Sequence, residues 1–240
     1  MVWDGAGSQE TLMQSDCCAA VDERDVFLRP ASKFEVHRFD GATPTGVLHR
    51  AFSLFLFDGA GRLLLQQRAA SKITFPGVWT NTCCSHPLVG LQPPEIDPPE
   101  AVAAGRAPGA TAAAIRKLSH ELGVPPGALP ASAFKFLTRL HYCAADGGAA
   151  GSPWGEHELD YILAARADGL LLAPNPEEVD AIRWVTQAEL AAMMAPETGL
   201  AWSPWFRIIA RDFLPGWWAD LEATLTTDAH VDAATIHRVL

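Results

Sequence analysis

The segment that most constrains the fold is RAFSLFLFDGAGRLLLQQR, residues 50–68. It contains two apolar runs of strand length, separated by a turn signal that begins with Asp58 and Gly59. No apolar run in the chain approaches the roughly 18 residues that a membrane-spanning helix needs. The two runs therefore predict neighbouring strands of a buried sheet. With 49% hydrophobic residues in 240, the chain can form the core of one large domain.

Helix signals are mixed with further strand signals along the rest of the chain. Residues 111–123, TAAAIRKLSHELG, predict an alanine-rich helix that ends at Gly123. Thr186 and Glu189 form a capping-box pattern, which predicts the start of another helix. Ser203 followed by Pro204 predicts a third helix start. Strands are predicted over 134–144, 158–166 and 181–185, and the third helix over 203–214.

Two segments lack a regular pattern. Residues 1–30 have no clear periodicity, so we expect a loosely packed or mobile N-terminal extension. Residues 91–110 are rich in Pro and Gly, which predicts a loop or insertion without regular structure. The folded domain is expected to span 31–240. Strands mixed with helices, without regular βαβ alternation, favour an α/β or α+β fold.

Charge narrows the possible ligands. The net charge of −10 argues against a general nucleic-acid or anionic-membrane binder. Residues 33–72 nevertheless carry six basic side chains against three acidic ones. This basic segment fits either an anionic small molecule or a solvated surface.

The cysteines indicate a reducing environment. They are five in number and lie at 17–18, 83–84 and 143, a pattern unlike the even, spaced cysteines of a secreted disulfide framework. We therefore expect free thiols. The acidic residues of the N-terminal segment bear on a different question. The first 30 residues hold six of them, whereas organelle transit peptides are poor in acids, so the sequence shows no evident transit peptide.

A metal site is predicted from five side chains. In WGEHELDY, residues 154–161, an extended backbone places Glu156 and Glu158 on one face. Adjacent carboxylates need a cation, a shared proton or open water. His37, His49 and His86 lie in the first half of the chain, and together with the two glutamates they suit a divalent metal such as Zn, Mn or Fe. Taken singly, each histidine is also compatible with a structural role, and the glutamates with a solvated strand face.

The predicted helix of 111–123 carries part of another motif. Its RKLSHELG resembles the end of the Nudix signature, in which three glutamates gather Mg²⁺ on a diphosphate. Two of those glutamates are replaced here by Lys117 and His120, and Glu121 is kept. The loss predicts crippled hydrolysis, while Glu121 could still contact Mg²⁺ on a diphosphate. A plain amphipathic helix is the alternative.

Six stretches, in the same order, resemble the type I isopentenyl-diphosphate isomerases, a Nudix-fold family that does not hydrolyse its substrate. They lie between about residues 33 and 220, and the most specific are TNTCCSHP, residues 80–87, and the downstream GEHE. The resemblance implies a mixed Nudix-type sheet packed between helices. It also implies that isopentenyl diphosphate is converted to dimethylallyl diphosphate by moving one double bond.

The family pattern transfers to individual residues of this sequence. It implies one divalent metal, Mn, Zn or Mg, held by His37, His49, His86, Glu156 and Glu158. It implies that Glu121 helps hold the Mg²⁺ that arrives with the diphosphate. The implied catalytic residues are Cys84, Glu158 and Tyr142. The implied substrate-binding residues are Lys33, Arg68, Lys72 and Trp205.

The chemistry suggests a role for each group. We expect the Glu158–Tyr142 pair to donate a proton to the alkene, and Cys84 to accept another as a thiolate whose pKa nearby cations lower. The indole of Trp205 would stabilise the tertiary carbocation between these steps by ~2 kcal/mol.

The expected partner is a small isoprenoid diphosphate, with no nucleic acid and no stable membrane insertion. We expect a monomer or weak dimer in plastid or cytoplasm.

Two other functions are distinguishable by their products. A Nudix hydrolase of a nucleoside diphosphate derivative would share the fold and Mg²⁺ but would release phosphate or nucleotide. A metal-stabilised binding module would bind diphosphate without turnover.

Overall fold

The computed structural model describes residue 5 and residues 7–147 and 152–239. Its strands are β1 (Cys17–Val21), β2 (Phe27–Ser32), β3 (His49–Phe57), β4 (Leu63–Arg68), β5 (Trp79–Thr80), β6 (Cys83–Ser85), β7 (Phe134–Ala145), β8 (Gly155–Arg166), β9 (Val179–Val185) and β10 (Ile236–Arg238). Its helices are α1 (Gln9–Ser15), α2 (Lys33–His37), α3 (Pro99–Ala103), α4 (Pro108–Leu122), α5 (Gln187–Met194), α6 (Pro204–Asp212), α7 (Leu214–Ala219) and α8 (Leu221–Thr226).

Strand β3 lies at the centre of a mixed sheet. It runs parallel to β8 over its whole length, from His49 opposite Glu158 to Phe57 opposite Arg166. Antiparallel contacts join β3 to β1, β4 and β6. The main strand order is β10-β7-β8-β3-β1-β2, and β4 carries β5 and β9. All nine residues of β3 are buried, which explains why most of them are apolar, since a strand covered on both faces shows no polar alternation.

Two apolar cores cover the two faces of the sheet. Phe52, Leu54 and Leu56 of β3 pack with α4 on one face. Phe55 and Phe57, which alternate with them, pack with α6 and α7 on the other. Helices therefore cover both faces of a mixed sheet, which confirms the predicted α+β, Nudix-type fold.

The hairpin of residues 50–68 forms, but its strands soon diverge. Asp58 stabilises the turn by accepting hydrogen bonds from the backbone N–H groups of Ala60 and Arg62. Between β3 and β4 the register holds one residue pair, Phe57 with Leu63. Strand β4 then pairs along its length with β9. This divergence separates β3 from β4 and leaves room for β6 beside β3.

The N-terminal segment is structured, contrary to the expectation of a loose extension. Strands β1 and β2 form an antiparallel pair, and Ala20 of β1 pairs with His49 of β3. Cys18, Ala20 and Ala31 are buried in a small core with Val36 and Leu88. The sequence did not predict these strands. Strand β1 is short and consists mostly of small residues, and β2 contains Pro30, which suits an edge strand.

The Pro/Gly-rich segment 91–110 also contains more helix than expected. Helix α3 occupies Pro99–Ala103, and α4 begins at Pro108, ahead of the predicted residue 111. Both helices have proline in the first turn, where its missing N–H costs no hydrogen bond. The predicted end of α4 is confirmed, because Gly123 adopts the left-handed conformation of a C-cap with φ of 66°.

The two helix N-caps predicted in the C-terminal part of the chain are confirmed. Thr186 and Glu189 form a reciprocal capping box at the start of α5. Ser203 caps α6 by accepting a hydrogen bond from the N–H of Phe206. None of the helices in the described residues is long and apolar enough to cross a membrane.

Candidate active site

The sheet register places three predicted site residues side by side. Glu158 of β8 lies opposite His49 of β3 on one side and opposite Tyr142 of β7 on the other. The Tyr142 hydroxyl donates a hydrogen bond to Oε2 of Glu158. Alternation along β8 also turns Glu156 to this face, as the sequence predicted.

Five buried side chains form a compact cluster of metal-ligating groups. Their ligand atoms all lie within 4.8 Å of one another. The members are His37, His49, His86, Glu156 and Glu158. Nε2 of His86 lies 2.9 Å from Oε1 of Glu158, and Nε2 of His37 lies 2.8 Å from Oε2 of Glu156. The structure therefore brings together all five residues predicted for the metal.

The hydrogen bonding of the cluster suits a cation. Nδ1 of His37 donates to the carbonyl of Lys33, and Nδ1 of His49 donates to the carbonyl of Val47, so both Nε2 atoms face the cluster. These Nε2 atoms and Oε2 of Glu156 are buried without a hydrogen-bond partner. Facing acceptor atoms repel unless a proton or a metal ion lies among them. A buried cluster of imidazole and carboxylate groups could hold a divalent metal.

Different neighbours separate the pKa values of the two buried glutamates. Burial together with the neighbouring charges of Glu156 and Asp160 raises the pKa of Glu158 well above its usual value. Burial acts on Glu156 in the same direction, but the adjacent imidazole of His37 outweighs it and lowers the pKa of Glu156 to about 2. Burial lowers the pKa of His49 to about 3, which keeps its imidazole neutral and able to ligate a metal.

Cys84 lines the same cavity as this cluster and lies on a different strand. It is half-buried on β6, where it pairs with Ser53 of β3. Burial raises the pKa of the Cys84 thiol to about 12, and the nearby charge of Arg68 offsets only part of this effect. Burial thus outweighs the local cations in the substrate-free protein, and the cation-stabilised thiolate stays a prediction. The adjacent Cys83 is fully buried in the core against α4, as expected of a packing residue.

Trp205 is positioned from the first turn of α6. Its indole N–H donates to Oδ1 of Asn81 over 3.1 Å, and the Asn81 amide donates to the carbonyls of Leu54 and Cys83. The ring centroids of Trp205 and Tyr142 are 6.1 Å apart. Sequence reasoning missed Asn81, which connects Trp205 to β3 and to the strand that carries Cys84.

The predicted diphosphate-binding side chains form the cationic part of the cavity, but two of them are engaged with the protein. Arg68 donates to the carbonyls of Thr74 and Phe75. Lys72 forms a 2.6 Å ion pair with Glu178. Burial lowers the pKa of Lys72 to about 8, against the opposing effect of Glu178.

Helix α4 adds Lys117 and Glu121 to the same cavity. Nζ of Lys117 lies 3.2 Å from Oε1 of Glu121, and Gln66 donates to its other carboxylate oxygen. Sequence reasoning treated Lys117 only as a lost glutamate. The basic segment 33–72 could not reveal it, since α4 lies outside that segment.

These groups belong to one cavity. Every predicted site residue lines it except His49, which reaches the site through the metal-ligating cluster. Gln9 and Met13 of α1 also line this cavity, and they come from the segment that was expected to be a loose extension.

The chain matches known proteins over most of its length. The NUDIX domain model matches residues 47–206. An isopentenyl-diphosphate delta-isomerase of Schizosaccharomyces pombe is 46% identical over 215 residues, which cover 89% of this chain and 88% of that protein. The enzyme of the same name from Phaffia rhodozyma is 44% identical over 230 residues, which cover 95% and 86% of the two chains.

Structural comparison agrees at the level of the fold. A solved structure of a Deinococcus radiodurans protein aligns with a TM-score of 0.52 and 20% identity over 82% of this chain and 99% of that one. At this identity the match concerns the fold alone. The sequence matches carry the family assignment: this chain belongs to the isopentenyl-diphosphate delta-isomerases of the Nudix fold.

Proposed function

We propose that this protein converts isopentenyl diphosphate to dimethylallyl diphosphate by a 1,3 proton shift. The observation that carries the proposal is that Cys84 and the Glu158–Tyr142 pair line one cavity from different strands. One proton must be added to the alkene and another removed two carbons away. Two proton-transferring groups that reach one cavity from different strands suit that task.

Cys84 and Glu158 act as a pair that shares one proton. In each direction one group gives a proton to the C5 chain and the other takes one, so the reactive protein carries a single proton on the pair. In the substrate-free structure burial raises the pKa of both groups, so one of them must ionise before turnover. Tyr142 holds the Glu158 carboxyl in place through its hydroxyl.

The divalent metal is proposed to be held by His37, His49, His86, Glu156 and Glu158. When bound, the cation favours the ionised form of its carboxylate ligands and so lowers the pKa of Glu158. The histidines orient Glu158 toward the cavity, and the buried surroundings keep bulk water from its carboxyl group.

Trp205 stabilises the positive charge that develops on the tertiary carbon. Its ring lines the cavity close to Tyr142, and Asn81 fixes its orientation. A desolvated indole face is worth ~2 kcal/mol to a cation. The same apolar wall excludes water, which would otherwise capture the carbocation.

The diphosphate occupies the cationic part of the cavity, with Lys33, Arg68 and Lys72 as its proposed contacts. Glu121 is proposed to help hold the Mg²⁺ that enters with the substrate. The hydrolase alternative is disfavoured by α4, where Lys117 and His120 replace two Nudix glutamates and Lys117 neutralises Glu121.

The products of one reaction test this function. Purified protein is incubated with isopentenyl diphosphate, Mg²⁺ and Mn²⁺, and the reaction is analysed for dimethylallyl diphosphate and free phosphate. We expect an equilibrium mixture of the two isomers with the diphosphate intact. Release of phosphate without isomer would support the hydrolase, and an unchanged substrate would support a binding module.

A further inference from the structure

Glu178 is a buried carboxylate beside the cationic part of the cavity, in contact with two of its lysines, and the proposed mechanism gives it no role. It is 4% exposed and immediately precedes β9. Oε2 of Glu178 accepts a hydrogen bond from Nζ of Lys72 at 2.6 Å and lies 3.9 Å from Nζ of Lys117. Its other oxygen accepts a hydrogen bond from the Gln9 side chain at 2.9 Å. A negative charge at this point needs an explanation, because it repels the diphosphate that the site is proposed to bind.

The backbone holds Glu178 rigidly against the diphosphate-binding elements. Its N–H donates to the carbonyl of Asn175, and its carbonyl accepts from the N–H of Ala69, next to Arg68. The N–H of Asn175 in turn donates to the carbonyl of Glu121. The carboxylate is therefore fixed between the β4 end that carries Arg68, the loop that carries Lys72, and the end of α4.

Resting on the proposed function, we propose that Glu178 is a positioning residue, an internal counter-ion that keeps Lys72 charged and in place until the substrate diphosphate replaces it. Lys72 is surrounded by other cations, since Arg68, Lys33 and Lys117 all act on it. A buried ammonium among like charges loses its proton unless a carboxylate opposes them. Glu178 is that carboxylate, and it is itself faced by Lys72, Lys117, Lys33 and His120.

The proposal predicts a pH-dependent defect in Glu178→Gln. Without the carboxylate, the pKa of Lys72 falls below its present value of about 8, so Lys72 is largely neutral in mildly alkaline solution. At about pH 6 Lys72 still carries its charge, and the repulsion between Glu178 and the diphosphate has been removed. The ratio of variant to wild-type Kd for a diphosphate should therefore rise with pH. If the pKa of Lys72 falls by one unit, the ratio of Kd values rises about tenfold at a pH above both the old and the new pKa.

Calorimetric titration with inorganic pyrophosphate and Mg²⁺ measures this ratio. We expect a Kd for Glu178→Gln within about twofold of wild type at about pH 6, and at least about fivefold weaker at about pH 8.5. The protonation state of pyrophosphate changes with pH in the same way for both proteins, so its effect cancels in the ratio of Kd values. Glu177→Gln is the matched control, because Glu177 is adjacent in sequence and exposed, and its ratio should stay near one at both pH values.

A second variant separates loss of charge from loss of structure. The double variant Lys72→Arg/Glu178→Gln is compared with the single variant Lys72→Arg. The ratio of their Kd values for pyrophosphate should not depend on pH, because arginine does not lose its proton. Equal weakening at both pH values, or no rescue by arginine, would overturn the counter-ion role. So would a Glu178→Gln protein that behaves like Glu177→Gln.

The proposed function is tested separately, by assaying the same protein preparation for dimethylallyl diphosphate. If the wild-type protein binds pyrophosphate but forms no dimethylallyl diphosphate, the isomerase assignment fails and the counter-ion result still stands on binding. If the wild type isomerises and Glu178→Gln shows no pH-dependent change in pyrophosphate affinity, the counter-ion inference alone fails.

Discussion

At the scale of single residues, the adjacent cysteines show how position in the sheet decides chemistry. Neighbouring residues on a strand point to opposite faces, so Cys83 enters the core against α4 while Cys84 lines the cavity. The sequence places both beside His86 and cannot tell which environment each meets. Burial rather than local cations dominates the ionisation of Cys84.

The reactivity of Cys84 toward iodoacetamide should therefore increase throughout the alkaline range. Its pKa of about 12 means that the thiolate fraction grows about tenfold for each pH unit between about pH 7 and pH 10. The measurement is the alkylation rate of Cys84 by mass spectrometry in the substrate-free protein, with Cys17 as internal reference. A plateau near pH 8 would show a stabilised thiolate and contradict this expectation.

The metal-ligating cluster makes a second prediction at this scale. A divalent metal that binds only the folded protein stabilises it by about 2.7 kcal/mol at 100 times its Kd. For a chain of this size that raises the Tm by about 5–10 °C. His49→Ala should abolish the Tm increase produced by Mn²⁺ or Zn²⁺.

His157→Ala is the matched control for His49→Ala. His157 lies between the two proposed glutamate ligands in sequence, but its ring faces the other way and hydrogen-bonds with His141. This variant should keep the metal-induced increase in Tm. An increase that survives in His49→Ala would place the metal elsewhere.

At the scale of elements, α6 links helix capping to the site. Ser203 is fully buried, caps α6 and hydrogen-bonds with Thr80 at 2.8 Å, and Trp205 lies two residues further on. Ser203→Ala should lower the free energy of unfolding by about 1–2 kcal/mol. It should also lower kcat, because Trp205 loses its fixed position.

Thr186→Ala offers the control for Ser203→Ala. Thr186 caps α5 in the same way, but no residue of that helix lines the cavity. Chemical denaturation should show a loss of about 1 kcal/mol for Thr186→Ala, with kcat unchanged. If both variants reduce kcat equally, α6 has no special role in positioning the site.

Sequence reasoning succeeded where local patterns determine an element. The β3–β4 turn, the C-cap of α4 and the capping box of α5 all depend on residues close together in the chain. It failed where pairing is distant: β4 joins β9, and β1 joins β3. The metal site was predicted from residue types and strand alternation, and the other site residues from a family resemblance. Asn81, Lys117 and Glu178 act through contacts that no short motif records.

At the scale of the whole molecule, the N-terminal strands belong to the structure of the site. Helix α2, which carries His37, packs against β1 and β2, and the small core around Cys18 and Val36 closes that side. Deletion of residues 1–32 would expose this core and the edge of β3. We expect insoluble or metal-free protein, measured by yield of soluble protein and thermal unfolding.

A shorter deletion is the comparison. Removing residues 1–7 leaves α1 and its N-cap, Ser8, in place, and this variant should remain soluble and fold. If the protein that lacks residues 1–32 is soluble and unfolds cooperatively, residues 1–30 are instead a dispensable extension.

The proposed isomerisation depends on proton transfer through Cys84. Proton NMR of the protein with isopentenyl diphosphate and Mg²⁺ in D₂O follows that transfer directly, with Cys84→Ala and Cys83→Ala measured in parallel. We expect deuterium-labelled dimethylallyl diphosphate from the wild type and Cys83→Ala, and a rate reduced by about 10³-fold or more in Cys84→Ala. Labelled product from Cys84→Ala at a rate near that of the wild type would contradict the account.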